Sequence, residues 1–535
     1  MNVNKHKSYL VNQRNLNAIN LIFIVIVVLI WLIISTPTLM YFISDPDGGF
    51  FIQGAYMIRS FGEHPQIDFF SSYGPLSFYL RAIAQILFKG SIFSEVAVVL
   101  MGYTLSFVFF YESIRNLTKS RLFSFLCLIA VLICIPRYYK FFVVLVPSMV
   151  FYFCLLFYEK QTKFRAQLIG VGLGIAYLFR HDYGVFAGLA IFFPLIIIPN
   201  QPFLEKQYYL NVLLAALAIT LPWEVFLASR HLLFQNVIDL LSVSRSYNSG
   251  MGLPHPLFNF DDKKVSFFFA VIYSIPILLV WITTYLWQKL SQIEKLTLIF
   301  SILVSVVFLT QSMHRADIGH LFQCVAASLL GLSAVWKFGE HINVSSLRLL
   351  SRSLVIFYVL TISMVGWSIQ PLQFRSLVYL NNNFHELFTS MNEVSSSLAR
   401  KDPTNSSLML IDFLHCLPDT SRATIFPFAP QLLYFATKAS AGDTLLIAPG
   451  YFDSESHQLR IINSLISQKP QVVLWNESVM FSSKSESMPI LSHHLVHGFV
   501  KNNFLNIGNV DGYTIYANSN NNLLRTKSCN KVASH

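Results

Sequence analysis

The chain has 535 residues and a formal charge of +11, yet only 12% of it is charged and 54% is hydrophobic. A charged share about half the ~25% of ordinary soluble domains excludes a soluble globular enzyme. The basic excess lies wholly in residues 1–375, with 27 Lys and Arg against 16 Asp and Glu, while residues 376–535 balance at 11 against 11; it therefore reads as the loop charge of a membrane domain and not as a nucleic-acid surface.

At the N-terminus Lys5, Lys7 and Arg14 precede an apolar stretch from Ile19 to Ile43, too long for the core of a signal peptide and without a small-residue cleavage pattern. It reads as a first membrane span. A bilayer crossing needs about 20 mainly apolar residues, and eleven stretches suggest one: roughly 19–40, 93–111, 121–135, 141–158, 166–180, 183–198, 209–227, 265–287, 296–311, 320–336 and 353–370. Cys127, Cys134, Cys154 and Cys324 fall in apolar runs, where a thiol behaves as a small hydrophobe. Basic short loops stay cytoplasmic, so Lys5, Lys7 and Arg14 put the N-terminus inside, as do Arg115/Lys119/Arg121, Lys160/Lys163/Arg165, Lys289/Lys295 and Lys337/Arg348/Arg352. The odd number of spans then places the C-terminal part outside.

The first outer loop, 41–92, is too long for a mere connector. Asp45 and Asp47 flank Pro46 and are followed by Gly48-Gly49, which reads as an acidic pair on a tight, exposed turn. From Pro75 to Phe88 apolar residues recur at three and four, with Arg81 and Gln85 on the polar side, the pattern of a helix lying along the membrane surface. The acidic pair after the first span, the Ala55-Tyr56 helix, the run from Asp68 through Gly74-Pro75-Leu76 to Tyr79-Leu80, and Leu87-Phe88-Lys89-Gly90 resemble the C-type (GT-C fold) glycosyltransferases. The branch resembled is that of the protein O-mannosyltransferases and the lipid A aminoarabinose transferase. The resemblance covers about residues 15–115.

That resemblance implies a sugar donor linked to a polyprenyl phosphate and a catalytic carboxylate in this loop. Family members often carry Asp-Glu where this chain has Asp47-Gly48. Asp47 matches the catalytic position better by its spacing to Ala55-Tyr56, and Asp45 is the alternative. Both aspartates can also be read as caps of a short helix. The implied reaction is inverting transfer to an acceptor hydroxyl, with one base for the acceptor proton and cations for the departing phosphate; Tyr73 and Tyr79 offer stacking faces, and Asp68 lies beside them as a pocket residue.

Farther along, three basic clusters fall on the proposed outer side. Arg137 and Lys140 bracket two tyrosines between the third and fourth spans. Arg180, His181 and Asp182 join the fifth and sixth. His314, Arg315, Asp317 and His320 precede the tenth, the last two one helical turn apart. Arg137, Lys140, Arg180, His181, His314 and Arg315 are the phosphate-binding candidates, and Asp182, Asp317 and His320 line the pocket. Each cluster also has a plain reading as an interfacial anchor or turn brace. A metal is left open: either none is required, or a divalent cation joins Asp45/Asp47 and the donor phosphate.

After Arg375 the chain turns polar. A helix is expected at 382–400, strands at 407–413, 443–448 and 471–475, a helix at 458–468 and an edge strand at 512–517, giving a small α/β domain over 376–535. Cys416 and Cys529 either pair there or stay free. The sequence thus reads as an α-helical polytopic membrane protein of about 11 transmembrane helices, GT-C-like, with a C-terminal extracytoplasmic α/β domain. Its expected site is the bacterial plasma membrane in preference to the endoplasmic reticulum. Expected partners are a polyprenyl-phosphate-linked sugar, a glycan, lipid or protein acceptor and membrane lipids, with no nucleic acid. The rival readings are a transporter or flippase of lipid-linked glycans and a non-catalytic membrane assembly protein.

Overall fold

The computed structural model describes residues 20–33, 36–37, 39–198, 205–250, 253, 255–258, 262–341, 345–369, 406–480, 488–510 and 512–518. Lys5, Lys7, Arg14, the helix expected at 382–400, the proposed boundary at 375/376 and Cys529 lie outside these residues.

Every one of the eleven apolar stretches carries a helix. In chain order the helices are α1 Asn20–Ile33, α2 Leu39–Ser44, α3 Pro46–Phe61, α4 Leu76–Leu87, α5 Phe93–Thr118, α6 Arg121–Ile133, α7 Phe142–Glu159 and α8 Lys163–Phe179. They continue as α9 His181–Ile197, α10 Lys206–Ser229, α11 Leu233–Gly250, α12 Lys263–Leu286, α13 Gln292–His314, α14 Ile318–Leu321, α15 Gln323–Phe338 and α16 Ser345–Ile369. Among the described residues seven segments are long and apolar enough to cross a membrane: those of α5, α7, α10, α12, α13, α14–α15 and α16. The protein is an integral membrane protein. The first apolar stretch is not one unbroken helix, because Pro37 stands between α1 and α2 and disfavours helical backbone on both sides of itself.

Two expectations for the first long loop change. The Asp45-Pro46-Asp47-Gly48-Gly49 run is a helix start and not an exposed turn: Pro46 occupies the first turn of α3 and Asp45 its N-cap position, where the fixed proline φ suits a helix and its missing N–H costs nothing. Asp45 holds the N-cap position, and its carboxylate lies against Gly48 in the first turn of α3. On α4 the two faces separate as expected, but the polar one turns into the protein. Arg81 and Gln85 are buried, and Ile83, Ile86 and Leu87 face outward.

The buried side of α4 is a set of fasteners. Arg81 forms a two-pronged ion pair with Glu95 at 2.6 and 2.9 Å and also donates to the carbonyl of Tyr139 at 3.2 Å. Gln85 donates to the carbonyl of Ile52 in α3 at 3.0 Å. Gly74 is required ahead of α4 because a β-carbon there would run into the backbone of Leu178 and Phe179, and its N–H donates to the Phe179 carbonyl at 2.9 Å. The Gly-Pro-Leu run is thereby seated on the residues just before Arg180.

The C-terminal part is built on a five-stranded sheet in the order β2-β1-β3-β5-β4, with β1 Arg422–Phe426, β2 Ala439–Ser440, β3 Val472–Asn476, β4 Phe504–Val510 and β5 Tyr513–Asn518. The first three strands are parallel and the last three antiparallel. Three helices in this part matter below: α17 Ser406–His415, α18 Pro430–Phe435 and α19 Glu455–Gln468. The strand expected at 471–475 and the helix at 458–468 are present. The run 407–413 is helical instead, since a short, almost wholly apolar run has no period that separates the two states. Residues 443–448 form no named strand; Thr444 bridges to Phe70 of the first long loop, and Phe70 N–H donates to the Asp443 carbonyl at 2.8 Å. The strand at 512–517 lies inside the sheet, covered by β4. Cys416 is free.

The sheet domain packs onto the first long loop and so shares a side of the membrane with it. Gln431 in α18 donates to the Ile43 carbonyl at 3.0 Å, Tyr434 to the Gly90 carbonyl at 2.7 Å, and Gln53 of α3 to the Lys438 carbonyl at 3.0 Å. Arg422 pairs with Glu63.

Candidate active site

Four loop segments distant in sequence meet at one end of the helix bundle. Arg137 stands at the centre. One guanidinium nitrogen pairs with Asp47, in the first turn of α3, and with the Tyr139 hydroxyl at 3.2 Å; the other reaches Asp317 at 3.0 Å. Its loop is fixed from outside the site by the bond from Arg81 to Tyr139 and by the Tyr103 hydroxyl, which donates to the Arg137 carbonyl at 2.9 Å.

Asp317 does two jobs. One carboxylate oxygen caps α14 by accepting the His320 N–H at 2.9 Å, and the other receives Arg137, the His320 ring at 2.9 Å and Arg315 at 3.4 Å. Burial would raise the Asp317 carboxyl, but the hydrogen bond and charge of His320 together with Arg137 hold it well below the usual range. Lys140 is buried beside these groups. Loss of hydration first, then the charges of Arg137 and Arg180, push its ammonium well below the ordinary lysine value, with Asp317 opposing. Arg180 pairs with Asp182 at 2.9 Å and lies over the rings of Tyr183 and Tyr73, at 4.5 and 5.8 Å from their centres.

Of the four carboxylates gathered here, Asp47, Asp182 and Asp317 are held in ion pairs and Asp45 is held in none that joins it to a described cation. Its carboxylate sits beside Gly48, where any side chain would displace it. Burial pushes its pKa up to about 6, partly offset by the Gly48 backbone, the Arg137 charge and the Tyr41 side chain. Two carboxylates two residues apart thus have unlike surroundings.

The structure therefore gathers Asp45, Asp47, Arg137, Lys140, Arg180, Asp182, Arg315, Asp317, His320 and Tyr73. Asp68 and Tyr79 belong to an adjoining layer around His64: Asp68 accepts the His64 N–H at 2.7 Å, and the Tyr79 hydroxyl bonds the His64 ring at 2.7 Å. His181 faces this layer through Gln66 at 2.8 Å, and Gln66 also accepts from Trp223 at 3.1 Å. His314 ends α13, and its side chain lies outside the described residues. Sequence reasoning missed His64, Gln66, Trp223 and Tyr41, single polar or aromatic residues with no patterned neighbour to mark them.

Among the described residues no three His, Cys, Asp or Glu side chains are grouped to hold a metal ion. Asp317 is already held by two guanidinium groups and a histidine, and Asp47 by Arg137, so a cation there would meet the repulsion of Arg137, Arg315 and Lys140.

No protein-family description matches the chain, and no curated protein matches it significantly. Solved structures do. The crystal structure of ArnT from Cupriavidus metallidurans bound to undecaprenyl phosphate aligns with a TM-score of 0.52 at 12% identity, covering 95% of this chain and 98% of that one. The same protein in the apo state aligns at 0.49 and 12% identity, over 94% and 98%. ArnT is the lipid A aminoarabinose transferase, of the GT-C fold, the branch that the first long loop resembles in sequence. The fold of this chain is therefore ArnT-like over nearly its whole length.

Proposed function

We propose that this protein is a membrane glycosyltransferase that moves a sugar from a polyprenyl-phosphate donor to an acceptor hydroxyl. The observation that carries the reading is the convergence of Arg137, Lys140, Arg180 and Arg315 with two unlike carboxylates at one end of the bundle. Three guanidinium groups beside the buried Lys140 amine suit a phosphate. The alignment with ArnT, solved with undecaprenyl phosphate bound, supports a polyprenyl-linked donor. The basic loops support placing the site on the extracytoplasmic face with the N-terminus inside, in a bacterial plasma membrane.

In this reading Asp45 is the base, since Asp47 is neutralised by Arg137 and serves to hold it. Asp45 takes the acceptor proton as the acceptor oxygen bonds to the anomeric carbon from the face opposite the phosphate. The bond from that carbon to the phosphate oxygen breaks, and its electron pair leaves with the polyprenyl phosphate, which Arg137, Arg180 and Arg315 stabilise. Attack from the opposite face inverts the anomeric centre. A phosphate leaves as a stable anion, so the paired acid and base of a glycoside hydrolase are not needed.

The test is transfer from radiolabelled undecaprenyl-phosphate hexoses by the purified full-length protein. Asp45→Asn is expected to lose about 10²- to 10⁴-fold in rate, the usual contribution of a positioned base, and Asp47→Asn less, through the released Arg137. Undiminished transfer by both variants overturns the reading.

A further inference from the structure

Helix α11, Leu233–Gly250, is not one of the seven segments apt to cross a membrane, and its two faces are reversed relative to a helix in water. The residues turned inward are Asn236, Asp239, Leu240 and Val243, with Asp239 only 2% exposed. Those turned outward are Phe234, Val237, Ile238 and Leu241, with Phe234 81% and Ile238 58% exposed. Both sets recur at the three- and four-residue spacing of one helix face.

The inward face is latched to the sheet domain. Asp239 accepts from His457 at 3.1 Å, from Arg460 at 2.5 Å and from Gln235 at 2.6 Å, and Arg460 also holds Asp443 at 2.6 Å. With its acid spent on that network, the helix presents Phe234, Val237, Ile238 and Leu241 outward as an apolar stripe edged by exposed Gln235, Ser244 and Arg245, an arrangement that water disfavours by about 25 cal/mol per Å² of apolar surface.

We infer that the outward stripe of α11 lies in the headgroup region of the membrane leaflet on the sheet domain's side, making α11 an interfacial helix that ties this domain to the lipid surface. Continuity with the spans argues for lipid as the occupant. Helix α10 ends at Ser229, four residues before α11 begins, and α12 starts at Lys263, so both chain ends of the segment are anchored at bilayer level. Charge agrees: Arg230 and Arg245 flank the stripe and are exposed, as suits an interfacial helix on anionic lipid.

The experiment uses the full-length protein in phosphatidylethanolamine/phosphatidylglycerol nanodiscs, with Cys416 and Cys529 replaced by serine and single nitroxides introduced at Phe234→Cys, Ile238→Cys or Leu241→Cys. Ile277→Cys on α12 and Lys501→Cys on the sheet domain, both exposed, are the lipid and water references. Power saturation is expected to give the three α11 labels an oxygen-to-nickel-chelate accessibility ratio several-fold above that at 501, approaching that at 277. A ratio like that at 501 overturns the inference. Shielding of all three labels from both reagents also overturns it, by assigning the stripe to a protein partner such as a second copy.

Discussion

Asp45 and Asp47 stand two residues apart, yet only one of them is neutralised by an arginine. The difference predicts a pH profile. A base must be deprotonated to act, so with the Asp45 pKa pushed up to about 6, kcat/KM for transfer should be full above that value and fall as pH drops through it, by about tenfold per unit. The sign follows from burial disfavouring the charged carboxylate. Absence of an acid limb near 6 would remove Asp45 from the role. The pair itself is legible in the sequence, and its division of labour is not: Arg137 lies 90 positions from Asp47 and 180 from Asp317, and no local pattern announces which loop a guanidinium will cross to.

Among elements, α4 shows how a correct periodicity can leave its orientation open. Polar and apolar faces were plain from spacing, but at a lipid boundary the outward face is the apolar one, and Arg81 and Gln85 became internal ties. Arg81→Met should leave Glu95 buried without its cation, destabilising the fold by about 3–5 kcal/mol. The double variant Arg81→Met/Glu95→Leu should regain most of that in thermal unfolding, yet remain poor in transfer because the bond to the Tyr139 carbonyl beside Arg137 is lost. Equal recovery of stability and transfer would show that the ion pair is structural only. The positions of the helices were readable because a bilayer demands long apolar runs. The start of α3 and the helical state of 406–415 were not, because Pro-Asp-Gly-Gly also spells a turn and a short apolar run fits either backbone.

For the molecule as a whole, the sheet domain is a supporting part of the site. Gln431 holds the carbonyl of Ile43, two residues before Asp45, from 388 positions away. Gln431→Ala leaves that carbonyl without its donor, at a cost of about 1–3 kcal/mol. It should lower kcat for transfer and speed hydrogen exchange over residues 41–49; unchanged values of both would detach the domain from the site's geometry. The central arginine has a further consequence, for biogenesis. Membrane insertion delivers the helices in chain order, so Arg137 and Lys140 arrive with Asp47 as their near counter-charge, and Asp317 follows only after α13 is in place. A partly inserted chain therefore holds Arg137 with Asp47 alone, and docking of the 315–320 segment is the late event that brings its second carboxylate.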